Sequence, residues 1–247
     1  MGNFQKEHKD TTCAGDVLLQ LTELSNSIFG SHISTMPNVH ALTFNLFQEN
    51  TYIIWDDTKE CAIIDPGCMD SAEQNQLVSF IDSEGLNPTQ LILTHGHVDH
   101  VLGVAFVKEK YGLSPIMHKL DVQGYMAVPN YAEQFGFADV KVIEPSSFID
   151  HNDTITIGES IWKVIFTPGH TPGEVCFYHE KSKQLIAGDV LFQGSIGRTD
   201  LPGGNHETLI ESIKTELMCL PDDVKVYSGH GPTTSVGYER QYNPFLQ

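Results

Sequence analysis

Five times along this chain an apolar run gives out and a side chain able to bind a metal follows, at once or after a short turn. Ala62-Ile63-Ile64 precedes Asp65, Leu91-Ile92-Leu93-Thr94 precedes His95, and Val164-Ile165-Phe166 leads through Thr167-Pro168-Gly169 to His170. Leu185-Ile186-Ala187-Gly188 precedes Asp189, and Val226-Tyr227-Ser228-Gly229 precedes His230. Such short apolar runs read as buried strands. Side chains at strand ends on one rim of a sheet converge from distant points in the sequence. Glycines flank nearly all of these residues, Gly169 and Gly229 among them, and permit the tight turns that gathering several ligands requires.

The densest stretch is His95-Gly96-His97-Val98-Asp99-His100. On extended backbone, positions i and i+2 point the same way, so His95 and His97 can share one ion. A turn after Val98 would aim Asp99 and His100 at a neighbouring ion. Imidazoles and carboxylates without cysteine suit Zn²⁺, with Fe²⁺ or Mn²⁺ as alternatives, rather than a soft-metal site. Two divalent ions carry four positive charges, of which Asp99, Asp189 and a hydroxide remove three. The positive centre that is left can hold a hydroxide near neutral pH and stabilise an oxyanion.

The rest of the chain gives this cluster a frame. Strand-like runs at 40–46, 51–56 and 60–65 precede a helix over 71–84, and the strand 91–93 precedes a helix near 101–111. The second half repeats the order, with strands near 153–157, 160–166, 174–179 and 184–187, a helix over 206–219 and a last strand at 224–228. Two similar halves of strands followed by helices predict two sheets covered by helices, a four-layer α/β arrangement. Residues 1–36 read as an N-terminal extension. Val17, Leu21, Leu24 and Ile28 recur there at helical spacing, with Leu18 beside them, and predict one short helix. The catalytic domain then spans 37–247.

Bulk properties narrow the partners. With 14 basic against 32 acidic side chains the net charge is −18, which repels phosphate backbones and anionic lipid faces. Neither a nucleic-acid nor a membrane-surface role is expected. The five cysteines (Cys13, Cys61, Cys68, Cys176, Cys219) are odd in number and form no C-x-x-C pair, as expected of thiols in a reducing compartment. Without a secretory pattern, a myristoylation signal or a membrane-length apolar run, the expected location is cytoplasmic.

H-x-H-x-D-H, followed by T-P-G-H-T-P-G, G-D and G-H-G, resembles the metallo-β-lactamase superfamily over about residues 38 to 247. The loop Gly194-Ser195-Ile196-Gly197-Arg198-Thr199-Asp200 resembles its glyoxalase II-type hydrolases most. The resemblance implies the four-layer αββα sandwich of that fold. It implies one metal on His95, His97 and His170, a second on Asp99, His100 and His230, and Asp189 bridging them. Asp65 would order a ligand or nearby backbone without binding metal. Asp99 and Asp189 would be the catalytic carboxylates.

Within the superfamily, residue identities select a chemistry. Common zinc β-lactamases resemble this chain in the histidine cluster but have a cysteine where Asp189 stands. Flavodiiron proteins have an acidic residue where His97 stands, and the ribonuclease branches usually have further domains or basic exosites. The expected activity is therefore a thioesterase of hydroxyacylglutathione hydrolase type acting on a small-molecule thioester or ester. A thiolate leaves with a pKa of about 8.5, so no strong general acid is needed. Longer glyoxalase II enzymes carry a C-terminal helical lobe for glutathione, whereas this chain ends 17 residues after His230. The alternatives are a persulfide dioxygenase-like enzyme using one iron, or a lactone or ester hydrolase of the same fold.

Other residues are read from their surroundings. Arg198 either anchors a substrate carboxylate or pairs with an acid such as Asp200. Tyr227 and Tyr238 read as packing residues, and Cys68 as a buried thiol. His118 follows the strand Pro115-Ile116-Met117 but has no partner in the ligand pattern and reads as structural. His8, His32, His40, His151, His179 and His206 read as solvated or core residues.

Overall fold

Alternation along the strands builds the molecule in layers. In the computed structural model, which describes residues 36–247, strands β1 (Asn38–Phe44), β2 (Glu49–Trp55), β3 (Glu60–Ile64), β4 (Asn87–Ile92), β5 (Pro115–His118) and β6 (Ser147–Ile149) form one sheet in that order. Strands β7 (Thr154–Ile157), β8 (Ser160–Phe166), β9 (Val175–His179), β10 (Gln184–Gly188), β13 (Lys225–Ser228) and β14 (Thr234–Ser235) form the second, in the order β14-β13-β10-β9-β8-β7. Between them in sequence, β11 (Leu191–Phe192) and β12 (Ser195–Ile196) make a small hairpin.

Successive strand residues face opposite sides. Tyr52, Ile54, Ala62, Ile64 and Ile92 of the first sheet pack against Trp162, Val164, Phe177 and Ile186 of the second. Their neighbours Ile53, Cys61, Ile63 and Leu91 face outward onto helices α1 (Ser71–Glu84) and α3 (Val104–Tyr111). Cys176, Tyr178, Leu185 and Ala187 face the other way, onto Leu209 of α5 (His206–Ser212) and Val236 of α6 (Val236–Tyr242). The result is the expected αββα order.

Helix ends follow local chemistry. Asp70 caps α1 by accepting the N–H groups of Ala72 and Glu73, and Gly85 closes it in the left-handed region at φ 64°. The helix expected near 101–111 is two helices, α2 (Val98–Val101) and α3, separated at Leu102-Gly103. The Gly103 N–H donates to the Pro66 carbonyl at 2.7 Å, an approach that a side chain would obstruct. The helix expected over 206–219 runs as α5 followed by a π-helical stretch, Ile213–Leu217. Between β5 and β6 the chain makes α4 (Val122–Ala127) and short 3₁₀ turns. The helix predicted around Val17–Ile28 lies outside the described residues, as do Cys13, His8 and His32.

Strand direction positions the site. β4 runs parallel to β3, and β13 parallel to β10. β8 and β10 are both antiparallel to β9, so they too share a direction. The two sheets are tied at the rim where these strands end: the Tyr52 hydroxyl donates to the Ser228 carbonyl at 2.6 Å, and Val175 N–H to the Thr94 carbonyl at 3.0 Å.

Candidate metal centre

His95, His97 and His170 bring their ligand atoms within 4.8 Å of one another, and so do Asp99, His100 and His230. The His97 backbone is extended, and α2 begins directly after it, carrying Asp99 and His100. Asp189 lies between the two trios. Its Oδ1 is 3.4 Å from His100 Nε2, and its Oδ2 is 3.6 Å from His170 Nε2 and 3.5 Å from His230 Nε2. These separations exceed ordinary N–H···O bonds of about 2.7–3.2 Å. Gly229 is required here because a Cβ would run into Asp189 Oδ1 and the His100 ring.

Four histidines are held from behind. His170 Nδ1 donates to the Arg198 carbonyl at 2.7 Å, and His230 Nδ1 to the Phe47 carbonyl at 2.9 Å. His100 Nδ1 donates to Asp65 Oδ2 at 3.2 Å. The Thr94 hydroxyl also donates to Asp65 Oδ2, at 2.5 Å, and so accepts from His95 Nδ1 at 3.0 Å. Each Nδ1 is thereby occupied and each Nε2 faces the centre. Asp65 forms a third close group with His95 and His100. However, its Oδ1 is engaged by Thr94 N–H at 2.7 Å and its Oδ2 by the two bonds above, so it backs the imidazoles.

The centre fits cations. His95 Nε2, His100 Nε2, His170 Nε2 and Asp189 Oδ1 are buried without a hydrogen-bond partner. Leaving such groups unsatisfied is costly, and a converging set of imidazole and carboxylate donors is what a divalent ion satisfies. Burial, with His100 and His97 alongside, holds His95 well below the ordinary imidazole range. Burial with His170 alongside lowers His97 to about 3. Burial would raise Asp189, but His100, His170 and His95 around it hold its carboxyl well below the usual range. Burial would lower His100, and Asp189 and Asp99 instead raise it well above. Neutral imidazoles at His95 and His97 and ionised carboxylates at Asp99 and Asp189 form a donor set for a positive ion.

Several contributors carry no ligand-like spacing. Asp121 accepts from Gly96 N–H (2.9 Å), Gly173 N–H (2.6 Å) and the Thr171 hydroxyl (2.8 Å), clamping the His95–His97 loop to the His170 loop. Asn45, in the β1–β2 turn, donates its side-chain amide to the Asp99 carbonyl at 2.9 Å and the Gly67 carbonyl at 3.1 Å. Glu49 and Glu174 are fully buried beside His100 and His95. A signal for both was present: a carboxylate leading directly into the buried strands β2 and β9.

Solvent reaches the centre past His97 and His230, the more exposed of the cluster. Phe192 flanks His230 at 6.3 Å between ring centroids, and Phe47 packs edge-on against Phe135 and Phe137. The Arg198 guanidinium makes a bidentate pair with Asp200, both bonds 2.8 Å, while its carbonyl holds His170. His118 is buried, stacks on Phe166 and caps the following turn. Tyr227 and Cys68 are buried, Tyr238 is exposed, and His40 stacks on Phe80. No helix among the described residues is long and apolar enough to cross a membrane.

Two sheets, four layers and two trios of candidate metal-binding side chains at the strand ends accompany a family match: the chain belongs to the metallo-beta-lactamase superfamily of metal-dependent hydrolases, whose profile matches residues 44–230. It is 38% identical over 211 residues to hydroxyacylglutathione hydrolase GloC of Haemophilus influenzae, covering 85% of this chain and 98% of that protein. It is also 38% identical to the probable metallo-hydrolase YqgX of Bacillus subtilis, over 81% of this chain and 92% of the relative. Among solved structures it resembles TTHA1623 in a di-iron-bound form, with 37% identity, a TM-score of 0.76, and 84% and 100% of the two chains covered. It likewise resembles the B3 metallo-beta-lactamase BLEG-1, with 35% identity, a TM-score of 0.77, and 85% and 100% covered.

Proposed function

We propose that this chain is a binuclear thioesterase of the hydroxyacylglutathione hydrolase type, cytoplasmic and acting on small-molecule thioesters. The observation that carries the binuclear part is Asp189 set between two complete trios, with buried donor atoms facing inward from both sides. The likeness to GloC supports the thioester part.

His95, His97 and His170 would hold one ion, and Asp99, His100 and His230 the other, with Asp189 shared. When bound, two such ions, Zn²⁺ by preference, supply Lewis acidity and an ionised water near neutral pH. The chain's own residues do the remainder. Asp65, Thr94 and the two backbone carbonyls keep four imidazoles aimed. Asp99 Oδ2, 3.1 Å from His230 Nε2 and ionised, would accept a hydrogen bond from that water and orient it for attack. Phe192 stacks edge-on beside His230, and Phe47, whose carbonyl holds His230, packs on Phe135, so aromatic side chains adjoin the centre. Arg198 becomes a substrate anchor only by exchanging Asp200 for a substrate carboxylate, which Arg198→Ala would reveal as a raised KM at unchanged metal content.

The test is elemental analysis of the purified protein together with a thioester, lactone and β-lactam panel. Two metals per chain and lactoylglutathione hydrolysis that Asp189→Ala abolishes are expected. One iron per chain with oxygen consumption on a persulfide would replace this reading with a dioxygenase. Lactoylglutathione hydrolysis no faster than that by Asp189→Ala would end the thioesterase assignment.

A further inference from the structure

Glu174 and Glu49 are each fully buried, and each has one carboxylate oxygen, Oε2 and Oε1 respectively, with no hydrogen-bond partner. Both sit behind the ligands, one on each side. Glu174 Oε1 accepts the Asp189 N–H at 2.7 Å and lies 3.5 Å from His95 Nδ1. Glu49 Oε1 lies 3.9 Å from His100 Nδ1, while its Oε2 accepts from the Thr51 hydroxyl at 3.0 Å. Its backbone pairs with His230, and the next N–H, Asn50, donates to the Gly229 carbonyl at 2.7 Å. Each glutamate thus reaches one imidazole of one trio and the backbone of a second ligand.

A buried carboxylate that is only partly satisfied destabilises a fold unless positive charge lies near. No lysine or arginine among the described residues is buried, so none shares this interior. The primary acceptors of the two Nδ1–H groups are Thr94 and Asp65, at shorter distances. What the glutamates add is a carboxyl one imidazole ring away from the donor atoms; burial pushes both well above the usual carboxylate range, so a cation in the centre is what favours their ionised form. We propose that Glu174 and Glu49 are positioning residues that raise cation affinity, Glu174 for the His95–His97–His170 half and Glu49 for the Asp99–His100–His230 half. This rests on the metal-centre reading above.

The test uses the full chain stripped of metal, titrated with Zn²⁺ against a chromophoric chelator, alongside the melting temperature of the metal-free protein. His170→Ala and His230→Ala assign the two constants to the two halves. Glu174→Gln keeps the size and the acceptor for Asp189 N–H but removes the charge. It is expected to weaken the first half by about 10- to 100-fold, with a metal-free melting temperature equal to or above that of the unsubstituted protein. Glu49→Gln is expected to do the same to the second half, and carries the test if Glu174→Gln does not fold. Wild-type constants in both variants, or a lowered melting temperature with unchanged constants, would overturn the inference and leave the metal centre standing. An unsubstituted protein that takes up no Zn²⁺ would overturn the metal centre and this inference with it.

Discussion

At the scale of single residues, the Thr94 hydroxyl joins two candidate ligands that belong to different trios. It accepts from His95 and donates to Asp65, which in turn accepts from His100. Thr94→Val keeps the volume and removes both bonds, so Zn²⁺ affinity should fall by about 10- to 100-fold. A chelator-competition titration would show it, and an unchanged constant would mean the hydroxyl does not hold His95. The candidate ligands stood out because His95, His170, Asp189 and His230 each follow an apolar run, and His97, Asp99 and His100 crowd in directly after His95. Thr94 and Asp121 did not, since they meet partners far along the chain, and Glu49 and Glu174 showed only as carboxylates leading into buried strands. Thr94 meets Asp65 across 29 positions and Asp121 meets Gly96 across 25. Only the folded chain brings such pairs into register, and a lone polar residue beside a strand suits a solvated turn equally well.

At the scale of elements, β3 and β9 turn Cys61 and Cys176 outward into the helical layers, and Cys68 is buried in the loop after β3. Burial pushes Cys61 and Cys68 up to about 12 and Cys176 higher still, from an unperturbed value of 9.0. As pH rises, thiols of the unfolded chain lose protons first. The stability these groups contribute is therefore whole below about pH 9 and declines towards their folded values. Melting temperatures taken between about pH 8 and pH 10.5 should fall, and less steeply in a variant with alanine at all three positions. Equal slopes would show that the thiols do not matter. Short apolar runs and the repeated order of strands and helices made most elements legible in advance. The segment between β5 and β6 was not, because α4 and its 3₁₀ turns are too short to establish a period.

At the scale of the whole molecule, the two sheets meet across a layer in which Trp162 is the largest fully buried side chain. Trp162→Ala should cost about 3–5 kcal/mol in denaturant unfolding. Metal stoichiometry should persist, since the rim loops are tied by their own hydrogen bonds. A cost below about 1 kcal/mol would mean that the layer closes around the lost ring. The four-layer arrangement followed from the repeated order of strands and helices. Which strands pair in parallel did not, because direction is set by crossovers that apolar periodicity does not encode.

The β1–β2 turn has a consequence at none of these scales alone. It steadies the centre with the Asn45 amide and the Phe47 carbonyl, an atom any amino acid supplies at that position. Leu46 and Phe47 leave their side chains 64% and 42% exposed. Support for the candidate metal centre and the texture of the surface beside it are thus assigned to different atoms of one short turn. Descendants of this chain can exchange the second without surrendering the first, so a shift in diet need not begin with a weakened catalyst.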